Sequence, residues 1–142
     1  MLQKLGKNLL EYLKTDFNKI YSDKCIEEGY IKKNSINIIK EGLSYGVLRN
    51  NNICINVLFE CLICNIIGKQ KINCIVKNIT KAGIKAEYDS DEKTPIVVFI
   101  AREYMKKKHF LLKEGSKIKV EVIASRFEIN DKFISVIANI TN

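Results

Sequence analysis

The chain has one histidine, one proline, and no apolar run approaching the roughly 18 residues that a membrane helix needs. A single histidine, His109, leaves little for acid–base catalysis and too few nitrogen ligands for a zinc centre. A Walker-type phosphate loop, a G-x-G-x-x-G fingerprint, a serine elbow and an H-E-x-x-H helix are all missing from the 142 residues. That length excludes a polymerase, a kinase and most two-substrate enzymes, and leaves room for one ordinary domain or two very small ones. No catalytic residue, cofactor, small-molecule substrate or membrane partner is expected. The five cysteines are an odd number with no secretion signal ahead of them, which points to reduced thiols inside the cell, in nucleus or cytoplasm. Cys61 and Cys64 have a tempting spacing, but they fall in ICINVLFECLICNII, which reads as one long strand to about Ile67. Residues three apart in a strand face opposite sides, so the pair is not expected to share a metal.

What is present is the composition of a folded protein, 46% hydrophobic and 28% charged, with a net charge of +8. The charge is unevenly placed. Residues 1 to 67 carry nine Lys/Arg against seven Asp/Glu, and residues 68 to 142 carry fifteen against nine. A basic excess favours polyanionic partners, although the plain reading of such charge is solubility.

Leu2, Leu5, Leu9, Leu10, Leu13, Phe17 and Ile20 recur every three or four residues and predict a helix over about the first twenty. CIEEGYIKKNSINIIKEG then alternates like a strand, with Gly29 and Gly42 marking bends, and Arg49 to Asn52 is turn chemistry because asparagine tolerates left-handed backbone angles. A domain boundary is placed at Gly68. Beyond it KINCIVKNI, GIKAEYD and PIVVFIA read as three strands separated by a turn at Lys81 to Gly83 and a charged loop at Asp89 to Lys93. REYMKKKHFLL reads as a short charged helix, and KIKVEVIASRF and KFISVIANI as two further strands joined by Glu128 to Asp131. Three strands, a helix and two strands is the order of a five-stranded OB barrel. The fold class expected is α+β: a helix-plus-antiparallel-sheet unit over 1–67, then an OB-fold barrel over 68–142.

Several segments, in common order and spacing, resemble the stalk subunit of cellular RNA polymerases, namely the seventh subunit of RNA polymerase II and its archaeal counterpart. They are KCIEEGYI with Cys25 and Gly29; IIGKQKINCIVKNITKAGIKAE with Gly68, Lys81, Gly83 and Glu87; VFIA; and EGSKIKVEVIASRFEINDKFISVIANI with Gly115, Arg126 and Asp131. The resemblance implies a tip domain docking on RNA polymerase core subunits, and a barrel of the ribosomal S-one type touching single-stranded nascent RNA. It also implies a second stalk subunit as partner, which a tip this reduced leaves open. The strand that opens cellular members has no counterpart ahead of LGKNLLEYLK. On the tip side the matching positions are Gly29, Tyr30, Ile31 and Gly42; the two glycines also read simply as backbone turns.

Within the barrel, the family's RNA-contacting aromatic falls on Lys85, the ligand-facing histidine of ribosomal-type barrels on Phe99, and a basic position opening the last strand on Lys132. RNA contact is therefore expected to lean on charge, through Lys69, Lys71, Lys77, Lys81, Lys85, Arg126 and Lys132, with Tyr88 and Phe99 as candidate stacking platforms. For Phe99 the expectation from its place in PIVVFIA is core packing. Lys106, Lys107 and Lys108 read most simply as a solvated helix face. The rival to a polymerase subunit is a free-standing RNA-binding barrel, which would not require the near-neutral first half. The heavy use of Ile, Asn and Lys points to an AT-rich coding genome, and with a shortened stalk subunit to a large DNA virus or an AT-rich microbial eukaryote.

Overall fold

The structure, a computed structural model, describes residues 8–40, 43, 46–106 and 111–141. One helix, α1 (Leu9–Tyr21), precedes twelve strands among these residues: β1 (Lys24–Ile26), β2 (Gly29–Ile31), β3 (Asn37–Ile39), β4 (Val47–Arg49), β5 (Asn52–Cys54), β6 (Leu58–Glu60), β7 (Ile63–Cys64), β8 (Lys71–Thr80), β9 (Gly83–Tyr88), β10 (Ile96–Ala101), β11 (Lys117–Arg126) and β12 (Ile134–Ile140). The class is α+β, and β8 to β12 close into a five-stranded barrel. Leu2, Leu5, Gly42, Lys107, Lys108 and His109, all named above, lie outside the described residues.

Helix α1 carries Glu11 in its first turn and Lys19 in its last, each matching the local sign of the helix dipole. It stops at Ser22, whose backbone N–H and hydroxyl both donate to the Asn18 carbonyl, at 3.1 and 2.6 Å. None of its side chains is fully buried. Its apolar stripe is covered on one side only, where Phe17 meets Phe59 edge-on at 5.5 Å and Tyr21 stacks on the same ring at 6.2 Å. The Asn18 amide fastens α1 to the next segment by donating to the Ile36 carbonyl and accepting from the Ile36 N–H, each at 3.0 Å.

The run expected as one strand to Ile67 is three strands in three different sheets. β5 pairs with β4 across Asn50 and Asn51, which both have positive φ as a two-residue hairpin requires; β6 pairs with β3, and β7 pairs with β2. The run breaks because each short piece finds its backbone partners in a different place. Cys61 sits in a break between strands, so the argument that separated it from Cys64 by strand parity does not hold.

The barrel follows the expected order. Around its wall β9, β8, β11, β12 and β10 are neighbours, β10 closing on β9, and every pair is antiparallel except β10 with β12. Even-numbered residues of β10 and β12 point inward, and Ile84, Val98, Ile100, Val120, Ile134 and Val136 are buried at its centre. Each such side chain contributes roughly 1.5–3 kcal/mol through removal from water. Gly83 has φ +148 where β9 passes β10, and a Cβ there would land on the Ile100 carbonyl oxygen. Of the helix expected after β10, the described residues show a 3-10 turn at Arg102–Tyr104, after which Met105 has extended angles and packs against the barrel core, while 107–110 lie outside the described residues.

The two halves touch along β1. The Cys25 N–H donates to the Asp131 carbonyl and its carbonyl accepts from the Asn130 N–H, both at 2.8 Å, so the β11–β12 loop is held to β1 like an added strand. Cys25 and Ile66 join the barrel's buried cluster, and Ser125 Oγ donates to the Ile66 carbonyl at 3.1 Å. Cys25 and Asp131, which stand far apart in the motifs quoted above, thus meet.

Candidate nucleic-acid interface

The outer wall of a closed barrel holds the odd-numbered residues of β10 and β12, and here several of these are apolar. Phe99 is 39% exposed, which corrects the expectation that it packs in the core: its neighbours Val98 and Ile100 are fully buried, and alternation turns the ring outward. Register sets Phe99 beside Lys85 of β9 on one side and Ile137 of β12 on the other, and Lys85 is in turn beside Asn78 of β8. The result is one outward row of cation, aromatic ring and aliphatic side chain across neighbouring strands. Among the described residues Lys85 has no acidic partner. An exposed ring beside an unpaired ammonium is the chemistry that holds a base by stacking and its phosphate by charge.

The other expected contacts fall at different distances from this row. Lys77 sits at the β8–β9 bulge and leans 3.9 Å from Glu87, while Arg126 ends β11 and holds Glu128 at 3.2 Å. Both pairs are exposed and worth at most about 1 kcal/mol, so either cation can exchange its carboxylate for a phosphate. Lys81 lies in the β8–β9 turn, where its carbonyl accepts from Arg102 at 3.4 Å. Tyr88, at the end of β9, is partly exposed but shares the parity of the inward-facing Ala86, away from the Phe99 row. Lys69 and Lys71 stand at the entry to β8, beside Glu121, apart from the row. Lys132 donates to the Asp23 carbonyl at 3.1 Å, across to the first half.

The expected docking positions within the described residues do not make a surface. Ile31 is fully buried, and a Cβ on Gly29, at φ +142, would meet the Cys64 carbonyl oxygen at 2.6 Å, so both serve packing. Tyr30 is half-buried and donates its hydroxyl to Asp23 at 2.5 Å. Burial first, then that bond, pushes its phenol up to about 12. Exposed apolar side chains lie elsewhere: Val47, Leu48 and Ile53 on the β4–β5 hairpin, with Leu62 and Ile67 further on. Leu48 is 74% exposed and shares its hairpin with the exposed Val47 and Ile53, so the three form a group and not a lone apolar residue. Periodicity could not find it, since these strands are three residues long.

Four of the five thiols are at least partly buried, and Cys54 is exposed. Burial is the first cause that raises the pKa of Cys25, Cys61 and Cys64, and it pushes Cys74 up to about 11, away from the thiolate needed for nucleophilic or metal chemistry. Among the described residues no three His, Cys, Asp or Glu side chains gather closely enough to hold a metal ion, and no helix is long and apolar enough to cross a membrane.

The fold and this face define a small α+β protein with an OB-type barrel whose outer wall offers a cationic and aromatic row. Over 151 residues, spanning 94% of this chain and 72% of its relative, the chain is 28% identical to a protein of Acanthamoeba polyphaga mimivirus whose name begins "Putative DNA-directed RNA polymerase subunit". The resemblance to polymerase subunits read from the sequence is thus matched by a relative so named along nearly the whole chain. Among solved structures, the chain matches an uncharacterized protein of Methanocaldococcus jannaschii at 18% identity with a TM-score of 0.42, over 55% of this chain and 97% of that one. No family model matches.

Proposed function

We propose that this chain is a non-catalytic, stalk-type subunit of the DNA-directed RNA polymerase of a large DNA virus, docking by its first half on core subunits while its barrel holds nascent single-stranded RNA. One observation carries the reading. The similarity to the mimivirus protein extends over 94% of the chain, so barrel and preceding segment are shared together with a protein of that name. The docking surface is read as the β4–β5 hairpin with Leu62 and Ile67, in place of Gly29 and Ile31. The RNA surface is read as Phe99, Lys85 and Ile137, flanked by Lys77, Lys81 and Arg126. On this reading the protein works inside the cell, in the nucleus or a cytoplasmic virus factory.

Purification of the tagged protein from cells that make it should recover large polymerase subunits at one copy per core, and would reveal a second stalk subunit if one binds. Recovery of ribosomes or RNA alone would instead favour the free-standing RNA-binding protein. Against that alternative stands the β11–β12 loop, which an OB barrel commonly uses for ligand and which here is hydrogen-bonded to β1.

A further inference from the structure

We infer that the junction between the two halves carries a second nucleic-acid site, a lysine-lined trough that takes the sugar-phosphate backbone of single-stranded RNA and leads the strand towards Phe99. The inference rests on the reading of the barrel as RNA-facing and adds residues to it from the first half.

A cleft of about 700 Å³ opens between the second half of α1, the bend at Lys33 and Asn34, and Lys132. Its walls hold Lys14, Lys19, Lys33 and Lys132 against one acid, Asp23, and contain no apolar residue. A second cleft of about 230 Å³ shares Asp23 and Lys132 with the first, and adds Lys93 and Phe133. Five lysines from four separate stretches of sequence therefore line two adjoining clefts, which meet at Asp23 and Lys132 and together make the trough. All five are exposed, and none forms an ion pair among the described residues. Like charges brought together repel, and a surface evolved for solubility alone intersperses both signs. The one carboxylate is already engaged. Asp23 accepts the Tyr30 hydroxyl, which is the main cause holding its pKa below the ordinary value against partial burial, with Lys132, Lys33 and Lys93 adding to the effect.

The larger cleft has none of the aliphatic or aromatic residues that commonly line small-molecule sites, its apolar surface coming from side-chain stems of polar residues. Its polar floor is spent internally: the Asn18 amide is bonded to Ile36, and the Ser22 hydroxyl to the Asn18 carbonyl. What remains on offer is positive charge along a rim, which suits a phosphate backbone of any sequence. The trough also has a stacking surface. Phe133 is 51% exposed and precedes Ser135 and Ile137, which alternation places on the barrel's outer wall. Because β10 and β12 run parallel, both lead from the trough to the Phe99 row, and Pro95 to Phe99 is four residues, about 13 Å of strand.

The test uses the full chain and a labelled oligouridylate of about 12 nucleotides, within the span of an OB fold, titrated by fluorescence anisotropy across a salt series. Changing Lys14, Lys19, Lys33 and Lys93 together to Gln, which removes charge and keeps most of the side chain, should weaken binding. The salt slope should fall by about 2.8, at about 0.7 for each phosphate released, so that a fourfold rise in salt costs the variant about 50-fold less affinity than the parent. Asp23→Asn, which keeps an acceptor for Tyr30, should tighten binding and steepen the slope, a gain no merely structural role produces. Phe99→Ala with Lys85→Gln separates the two claims. If that pair weakens binding while the four-lysine variant keeps the parent affinity and slope, the trough is refuted and the barrel face stands. If the lysine variant weakens binding and the barrel pair does not, the trough stands and the Phe99 row falls; if neither weakens it, both fall.

Discussion

The barrel strands run six to ten residues and bury alternate side chains, whereas the strands before them run two or three and leave Val47, Leu48, Ile53, Leu62 and Ile67 in water. A sheet that closes on itself satisfies its own edges and encloses a core. Three small sheets and a helix with no buried side chain do neither fully. The contrast teaches that the barrel encloses its own core, while the described residues of the first half leave apolar side chains uncovered and are tied to the barrel by the bonds of β1 to the β11–β12 loop.

The comparison can be broken most directly at the core. Ile100→Ala should cost about 2–5 kcal/mol in urea unfolding, while Leu48→Ala should stay within about 0.5 kcal/mol. Equal costs would mean that the hairpin is packed after all. Phe99→Ala should lower RNA affinity by about 1–3 kcal/mol with the melting temperature unchanged, by calorimetric titration and a thermal scan. A large fall in melting temperature would return the ring to the core. Asn130 has φ +74, so Asn130→Val should cost about 1–2 kcal/mol and speed hydrogen exchange at the Cys25 amide, loosening the junction while the barrel stays protected. Leu48→Asp with Ile53→Asp should leave stability within about 0.5 kcal/mol, yet abolish recovery of polymerase subunits in the purification described above.

The smallest effect is a pH dependence. Tyr30 and Cys74 have raised folded-state pKa values, about 12 and about 11, so each keeps its proton in the folded chain after the unfolded chain has lost it. Their contribution is complete below the ordinary thiol and phenol values and is lost as pH climbs through the folded ones. Melting temperature should therefore decline above about pH 9, the ordinary thiol value. Cys74→Ala should remove the part of that decline belonging to the barrel, and Tyr30→Phe one share of the part belonging to the first half, where the raised thiols of Cys25, Cys61 and Cys64 supply the rest.

Much of the barrel was legible because its strands are long enough to show a period and are punctuated by Gly68, Gly83 and Gly115, all at positive φ. The hairpin at Asn50 and Asn51 was legible for a local reason, the tolerance of asparagine for left-handed angles. β1 to β3 fall within the segment read as strand, although as three pieces, while β6 and β7 were not legible, since two or three residues carry no period and the run from Ile53 to Ile67 changes sheet twice. Phe99 was named as a candidate platform but its exposure was hidden because β10 is apolar on both faces, and Phe133, just ahead of β12, was not singled out. The signal lay in phase: Ile96, Val98 and Ile100 share one parity, as do Ile134, Val136 and Ala138, and each phenylalanine falls on the other. Ile31 looked available for docking because a surface role and a core role are the same letter in sequence. The gathering of Lys14, Lys33, Lys93 and Lys132 is a property of tertiary folding alone, invisible to any window of sequence.

The parallel pairing of β10 with β12 also bears on how this protein comes off the ribosome. Every other seam of the barrel is antiparallel, and β8 and β9 join through a tight turn, but β10 must wait for its second partner until some thirty further residues have been made. During that interval Ile96, Val98 and Ile100 lie along an open strand edge, a template for mispairing with like chains. Closure is a long-range event and slow for that reason, so the yield of native protein should depend more on translation rate and chaperone supply than on the stability the finished molecule attains.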